Sequence, residues 1–256
     1  MEILFNYWYG VPTMADERCT KIKKVGFNNV ALYYANDFVG ANGKVKDIIC
    51  TMQNKNLKFD ALHFSFVNAG DIWKKGLIGY KRYKSYKKLI CYAKSFNITN
   101  FVMHLNDERN VQATKAGLKR IEKLLKLCNK YNINIAFENL TKVNSHINAI
   151  TCLLDKYSNA KICFDVGHSN ITNFEAEKYL QKISVIHLHD NFGVKDEHNL
   201  PFEGNVNWTN VFKLIKKCNN PLIVLELHNQ KIKTEKEELE YLKQCYKISL
   251  KVLQNF

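Results

Sequence analysis

Prolines are scarce in this chain, 3 in 256 residues, and no low-complexity stretch interrupts it, so nothing in the sequence marks a boundary between domains. No apolar run approaches the roughly 18 residues that a spanning helix needs, which argues against a membrane protein. The opening Met1-Glu2-Ile3-Leu4-Phe5 lacks the basic segment, apolar segment and small-residue cleavage site of a secretory signal, so a cytoplasmic location is expected. The eight cysteines, at 19, 50, 91, 128, 152, 163, 218 and 245, contain no C-x-x-C pair. That spacing excludes a zinc ribbon or a dithiol exchange motif and reads as reduced, mostly buried small hydrophobes. Acidic residues are also in deficit, 24 against 38 Lys and Arg, for a formal charge of +14. The lysines spread over segments such as 81–88, 119–130 and 213–217, where helices need solvated faces, and no single basic stripe stands out.

What the chain does have is alternation. Eight short β-type runs, at 2–8, 28–33, 58–63, 99–104, 133–138, 160–165, 183–188 and 221–226, alternate with helical patterns near 13–25, 43–54, 79–96, 111–130, 145–157, 174–181, 208–218 and 234–253. Runs such as Ile133-Asn134-Ile135-Ala136-Phe137 and Leu222-Ile223-Val224-Leu225 are apolar on both faces, as strands of a covered parallel sheet are. Repeated βα units over this length predict an α/β fold, a single (β/α)₈ TIM barrel over 1–256. Two connections are long, 64–78 and 190–207, and both fall on the face where the strands' C-terminal ends emerge.

The strand ends carry the chemistry. His63, His104, Glu138, Asp165, His187 and Glu226 end six consecutive predicted strands, and His168, Asp196 and His198 follow in the loops. With 24 Asp and Glu and 8 His in 256 residues, six such ends in succession arise by chance roughly once in a thousand. Taken singly, each His reads as a core histidine and each Glu as half of an ion pair; the inference rests on the set. Carboxylates and imidazoles converging on one rim repel or stay desolvated unless a cation compensates them. A mixed nitrogen and oxygen donor set suits Zn²⁺ or Mn²⁺, or Co²⁺ or Fe²⁺, better than Ca²⁺. His189, followed directly by Asp190, is expected to support a ligand or touch substrate and not to ligate. Trp8 and Trp73 are the candidates for a substrate-binding wall, while Arg109, Lys142 and Lys195 are basic residues placed to neutralise a phosphate.

At these residues the chain resembles the xylose isomerase-like barrel superfamily, which groups sugar phosphate isomerases and epimerases with endonuclease IV. The resemblance runs from about residue 28 to Glu226 and is carried by Ile135-Ala136-Phe137-Glu138-Asn139-Leu140, Cys163-Phe164-Asp165-Val166-Gly167-His168, His187-Leu188-His189-Asp190-Asn191, Asp196-Glu197-His198 and Val224-Leu225-Glu226-Leu227. It implies that Glu138, Asp165, His187 and Glu226 hold a metal. It also implies that Glu138 and Glu226 exchange a proton at the carbon next to a sugar carbonyl, with His168 contacting sugar oxygens. In endonuclease IV a larger set holds three zinc ions, and His63, His104, His168, Asp196 and His198 supply the matching ligand types here. The chain departs from that enzyme at Phe64-Ser65-Phe66, at Val166-Gly167, at Phe202 and at Tyr7-Trp8-Tyr9-Gly10, positions that bear on DNA-binding loops more than on metals. The expected function is therefore a metal-dependent isomerase or epimerase of a sugar or sugar phosphate, with one to three divalent ions. The alternatives are a zinc phosphodiesterase acting on abasic DNA and a non-catalytic metal-binding protein. Membrane partners are not expected, and the oligomeric state is not encoded in any pattern of the sequence.

Overall fold

The computed structural model describes residues 2–7, 9–11, 13–34, 45–96, 98–141, 146–229 and 231–256. Its eight strands, β1 (Ile3–Asn6), β2 (Asn29–Tyr34), β3 (Lys58–Phe64), β4 (Asn100–Met103), β5 (Asn134–Glu138), β6 (Ala160–Asp165), β7 (Ile183–Leu188) and β8 (Leu222–Leu225), are all parallel and close into a barrel in chain order. Helices α1 (Ala15–Val25), α2 (Val45–Asn54), α3 (Gly76–Ala93), α4 (Lys115–Asn129), α5 (Thr151–Lys156), α6 (Val166–Thr172), α7 (Trp208–Ile215) and α8 (Glu235–Leu253) alternate with them. The expected (β/α)₈ architecture is the observed one. No described helix is long and apolar enough to cross a membrane.

The helices begin where side chains satisfy their first N–H groups. Thr114 accepts from Gly117 N to open α4, whose Ile121, Leu124, Leu125 and Cys128 face the barrel. A reciprocal capping box, Thr234 with Glu237, opens α8. The scarcity of glycine is offset by asparagine, which tolerates the left-handed region through its short polar side chain. Among the described residues, Asn56, Asn68, Asn110, Asn132, Asn173 and Asn220 all take positive φ.

One expectation fails. A helix at 174–181 was expected after β6, but α6 starts directly at Val166, and 176–179 forms only a 3₁₀ turn. The reason is a cap: Asp165 Oδ1 accepts from His168 N at 2.7 Å, so the strand's terminal carboxylate nucleates the helix despite Gly167.

The barrel interior is layered with period two. Leu4, Ala31, Ala61, Val102, Ala136, Cys163, Val185 and Val224, one from each strand, form a buried apolar plug of mostly small side chains. Two residues farther along each strand direction stand Asn6, Tyr33, His63, His104, Glu138, Asp165, His187 and Glu226. The plug therefore serves as the dry floor of a polar layer at the C-terminal mouth.

Candidate metal centre

The mouth layer brings together all six residues expected at the strand ends. Ligand atoms of Glu138, Asp165, His187 and Glu226 lie within 4.8 Å of one another, and so do those of His63, His104 and Glu138. A further cluster, His168, His189, Asp196 and His198, abuts them. Glu138, 1% exposed, belongs to both of the first two clusters, with its Oε2 3.1 Å from His63 Nε2 and 3.2 Å from His104 Nε2.

A repeated arrangement orients the imidazoles. His63 Nδ1 lies 2.6 Å from the Phe64 carbonyl, His168 Nδ1 2.8 Å from the Asn139 carbonyl and His198 Nδ1 2.8 Å from the Glu226 carbonyl. A carbonyl can only accept, so each Nδ1 donates, and the neutral ring turns the lone pair of Nε2 inward. Those lone pairs meet carboxylate oxygens: His63 meets Glu138, while His168 and His198 meet Asp196 Oδ2 at 3.1 and 3.3 Å. Lone pair facing lone pair is stable only with a proton or a metal cation between them.

The central cluster makes the same point. His187 Nδ1 and Glu226 Oε2 are 2.7 Å apart, yet among the described residues neither atom has a hydrogen-bond partner, and Glu138 Oε1 is likewise buried without one. Close approach without hydrogen-bond alignment is what donors aimed at a shared ion show. The residues present therefore fit a divalent metal, held through imidazole nitrogen and carboxylate oxygen.

Without metal, protons do the compensating. Burial would raise Glu138 and Asp165, but neighbouring imidazoles, His104 and His187 for the first and His168 and His189 for the second, hold both carboxyls well below their usual range. Burial would lower His168, and Asp165 and Asp196 raise it instead; His198, also against burial, is lifted to about 9 by Asp196. His187 is raised as well by the groups packed around it, Cys163, Glu226 and Glu138 among them.

The cluster opens into a cavity of about 230 Å³ walled by Phe66, Asn106, Asp107, Glu108, Leu140 and Thr141, with His63, His104, Glu138, His168, Asp196, His198 and Glu226 at its base. Several expectations about this wall need correction. Trp73 is 1% exposed, sits in the 3₁₀ turn Ala69–Trp73, and donates its indole N–H to the Leu105 carbonyl, so it packs the core and not the cavity. Phe66 takes the wall position instead, its ring lying against His104 at 5.8 Å. His189 is not among the residues lining this cavity: it is fully buried, with Nε2 3.0 Å from Asp165 Oδ1. Arg109 is occupied by Asp107 and Asp71 and is not free to meet a phosphate. Trp8 and Lys142 lie outside the described residues, and Lys195 is exposed on the loop beside Asp196.

Sequence reasoning missed two organisers of the site. Asn139 ties the ends of β5 and β6 together, donating to the Asp165 carbonyl at 2.9 Å and accepting from Asp165 N at 2.8 Å. Asp190, fully buried, accepts from Asn191 N, Phe202 N, Val206 N and Trp208 Nε1, which folds 191–207 back so that Asp196 and His198 face the mouth. Phe202 holds a φ of 79° in that loop, and its ring rests against Trp208 and Lys251. The signal was present for Asn139 as a polar neighbour directly after Glu138, and for Asp190 as the residue after His189 in His187-Leu188-His189-Asp190.

Gly167 is required by close approach, since a Cβ there would stand 2.0 Å from His189 Cε1. Gly167→Ala is expected to push His189 off Asp165, costing about 1–3 kcal/mol in urea denaturation and about 10–100-fold in metal affinity. A chelator-competition titration measures the affinity, and an unchanged value would remove His189 from any role in orienting Asp165.

Comparison with known proteins agrees with this fold. The profile described as xylose isomerase-like TIM barrel matches residues 19–245. An uncharacterised protein of Sinorhizobium fredii (strain NBRC 101917 / NGR234) is 33% identical over 100 residues, 36% of this chain and 32% of that protein. An uncharacterised protein of Methanocaldococcus jannaschii is 32% identical over 127 residues, 47% of this chain and 49% of that one. The chain thus matches about a third to a half of the length of these curated relatives. Among solved structures, a D-allulose 3-epimerase from Methylomonas sp. superposes with a TM-score of 0.79 at 14% identity, covering 100% of this chain and 98% of that one. A D-tagatose 3-epimerase-like protein gives 0.71 at 18%, covering 99% and 98%. The IOLI protein, described with a binding zinc atom, gives 0.73 at 15%, covering 100% and 99%. At such identities the likeness is one of fold.

Proposed function

The chain belongs to the xylose isomerase-like TIM barrel family, and from that premise we propose that it is a metal-dependent isomerase or epimerase moving a proton next to the carbonyl of a sugar or sugar phosphate. The observation that carries this reading is the pair of glutamates, Glu138 and Glu226, in one ligand cluster at the base of an open cavity. Their inner oxygens, Glu138 Oε1 and Glu226 Oε2, have no hydrogen-bond partner among the described residues.

In this reading Glu138, Asp165, His187 and Glu226 hold the principal ion, Zn²⁺ or Mn²⁺, which supplies Lewis-acid stabilisation for negative charge developing on substrate oxygens. One glutamate removes the proton from the carbon beside the carbonyl and the other delivers a proton to the carbon that receives it. Removal and return from opposite faces inverts a centre; transfer between adjacent carbons, with the neighbouring hydroxyl proton passing to the former carbonyl oxygen, isomerises. His168 lines the cavity and orients sugar hydroxyls, while Phe66 presents an apolar face to the ring. His189 keeps Asp165 in place. The solved epimerases of the same fold support a free ketose as the first class to test. A cytoplasmic location belongs to the same reading, supported by eight free cysteines.

The test is exchange. Metal-loaded protein incubated in D₂O with a panel of ketoses and ketose phosphates is expected to introduce deuterium at the carbon next to the carbonyl of at least one. No incorporation with any of them would count decisively against proton transfer.

One observation favours a second reading. His63 with His104, and His168 with Asp196 and His198, form two further loci beside the central cluster, enough for as many as three ions. A multinuclear site can clamp both the attacking and the leaving oxygen of a phosphodiester, and a formal charge of +14 suits abasic DNA. Metal analysis with a nicking assay on an abasic duplex separates the readings: three ions and salt-sensitive cleavage favour hydrolysis, one ion without cleavage favours proton transfer.

A further inference from the structure

The barrel has a second polar layer, and it lies at the opposite end, where the strands begin. Two residues before the apolar plug, Asn100, Asn134 and Lys161 stand at the starts of β4, β5 and β6. With Ser184, Asn219 and Asn220 they line a cavity of about 240 Å³ at the N-terminal mouth. This end of a barrel ordinarily contributes stability and not chemistry, so a lysine-bearing polar cup there is placed for a ligand outside the active site.

Its chemistry is that of an anion site. No carboxylate lines the cavity, and among its residues Lys161 is the only charged one. The inward position of Lys161 follows from the strand period, because Cys163 two residues on is in the plug and Asp165 four on is in the metal layer. None of the carboxylates among the described residues lies within ion-pair distance of its ammonium. The amides around it are fixed: Asn134 Nδ2 and Ser184 Oγ both donate to Asn100 Oδ1, at 3.2 and 3.1 Å. Asn100 Oδ1 is thereby saturated and turned away from acting as the lysine's acceptor. Burial, with Lys182 adding like charge, disfavours the charged form of Lys161. An uncompensated ammonium in a cup rimmed by exposed amides is relieved by a small oxyanion.

We propose that this N-terminal cavity is a binding site for a tetrahedral oxyanion, phosphate or the phosphate of a small monoester, held by Lys161 with amide donors from Asn219 and Asn220. The plug separates it from the metal centre, so it is a site for a ligand that stabilises or regulates and takes no part in the chemistry. The proposal stands apart from the function proposed above and survives or fails without it.

The test uses the full chain stripped of metal, so that phosphate cannot be scored by coordination at the other mouth. Inorganic phosphate and glycerol phosphate are titrated separately against chloride at equal ionic strength, with melting temperature and calorimetry as readouts. Phosphate at roughly ten times its Kd is expected to raise the Tm by about 3–5 °C. Lys161→Met is expected to abolish that increment while melting no lower than the wild type in chloride, because it removes an unpaired charge. Lys161→Gln provides a second variant should Met perturb packing. If only inorganic phosphate acts, the free ion is the ligand; if the monoester acts as well or better, a phosphorylated metabolite is. An equal increment in wild type and both variants, or none in the wild type with either compound, would overturn the site. Metal loading of Lys161→Met is expected to be unchanged.

Discussion

Glu226→Gln is expected to lower turnover by on the order of 10²–10⁴-fold and to abolish deuterium incorporation, while circular dichroism stays that of the native barrel. The two glutamates are not equivalent in their surroundings. Glu138 is 1% exposed and touches His63, His104, His168 and His187, whereas the Glu226 side chain is 16% exposed and meets chiefly His187. Glu226 also stands just beyond β8, with its carboxylate at the cavity base. A neutral amide there retains the shape but cannot take a proton, so excess metal should not rescue the rate. Glu138→Gln is expected to behave differently, because that carboxylate serves two clusters at once. It should lose metal as well as rate, and recover part of its occupancy when metal is added. Metal content measured beside exchange rate distinguishes these outcomes. Wild-type exchange by Glu226→Gln at saturating metal would remove that residue from proton transfer.

The legibility of this site follows from one geometric rule. Strands of a closed parallel barrel alternate between its interior and its helices, so a ligand two residues beyond an apolar inward position announces itself at the end of an apolar run. His104, Glu138, Asp165, His187 and Glu226 each stand two residues beyond Val102, Ala136, Cys163, Val185 and Val224, and each was readable. Asn6 and Tyr33 occupy the same layer on β1 and β2 but carry no charge, so nothing in the sequence separated them from ordinary strand residues. Trp73 was misplaced for a different reason. A long connection suggested a loop over the mouth, but Thr114 hydrogen-bonds the Trp73 carbonyl and Gly117 leaves room for the indole, which carries the side chain down against α4. Helix α6 was hidden because its cap is Asp165 itself, a residue already accounted for by metal chemistry. The polar layer at the other mouth was invisible because strand starts rich in Asn and Lys read as solvent-facing ends.

Removing metal is expected to destabilise the protein in a way that depends on pH with a definite sign. A ligand that binds only the folded chain stabilises it by about 2.7 kcal/mol at 100 times its Kd. For a chain of 256 residues that corresponds to a Tm about 5–11 °C above that of the stripped protein. In the stripped protein, imidazolium ions stand in for the cation, since His168, His187 and His198 are all raised, the last to about 9. A group whose folded pKa is raised stabilises fully below its unfolded value, near 6.5 for histidine, and loses that contribution as pH rises through the folded value. The metal-free protein should therefore weaken between about pH 6.5 and 9. Over the same interval metal competes with fewer protons and binds more tightly. The gap in Tm between loaded and stripped protein is thus expected to widen as pH rises, and calorimetry in buffers of different ionisation enthalpy should detect proton release on metal uptake at neutral pH. A gap independent of pH, or uptake without proton release, would mean that imidazolium does not occupy the metal's place.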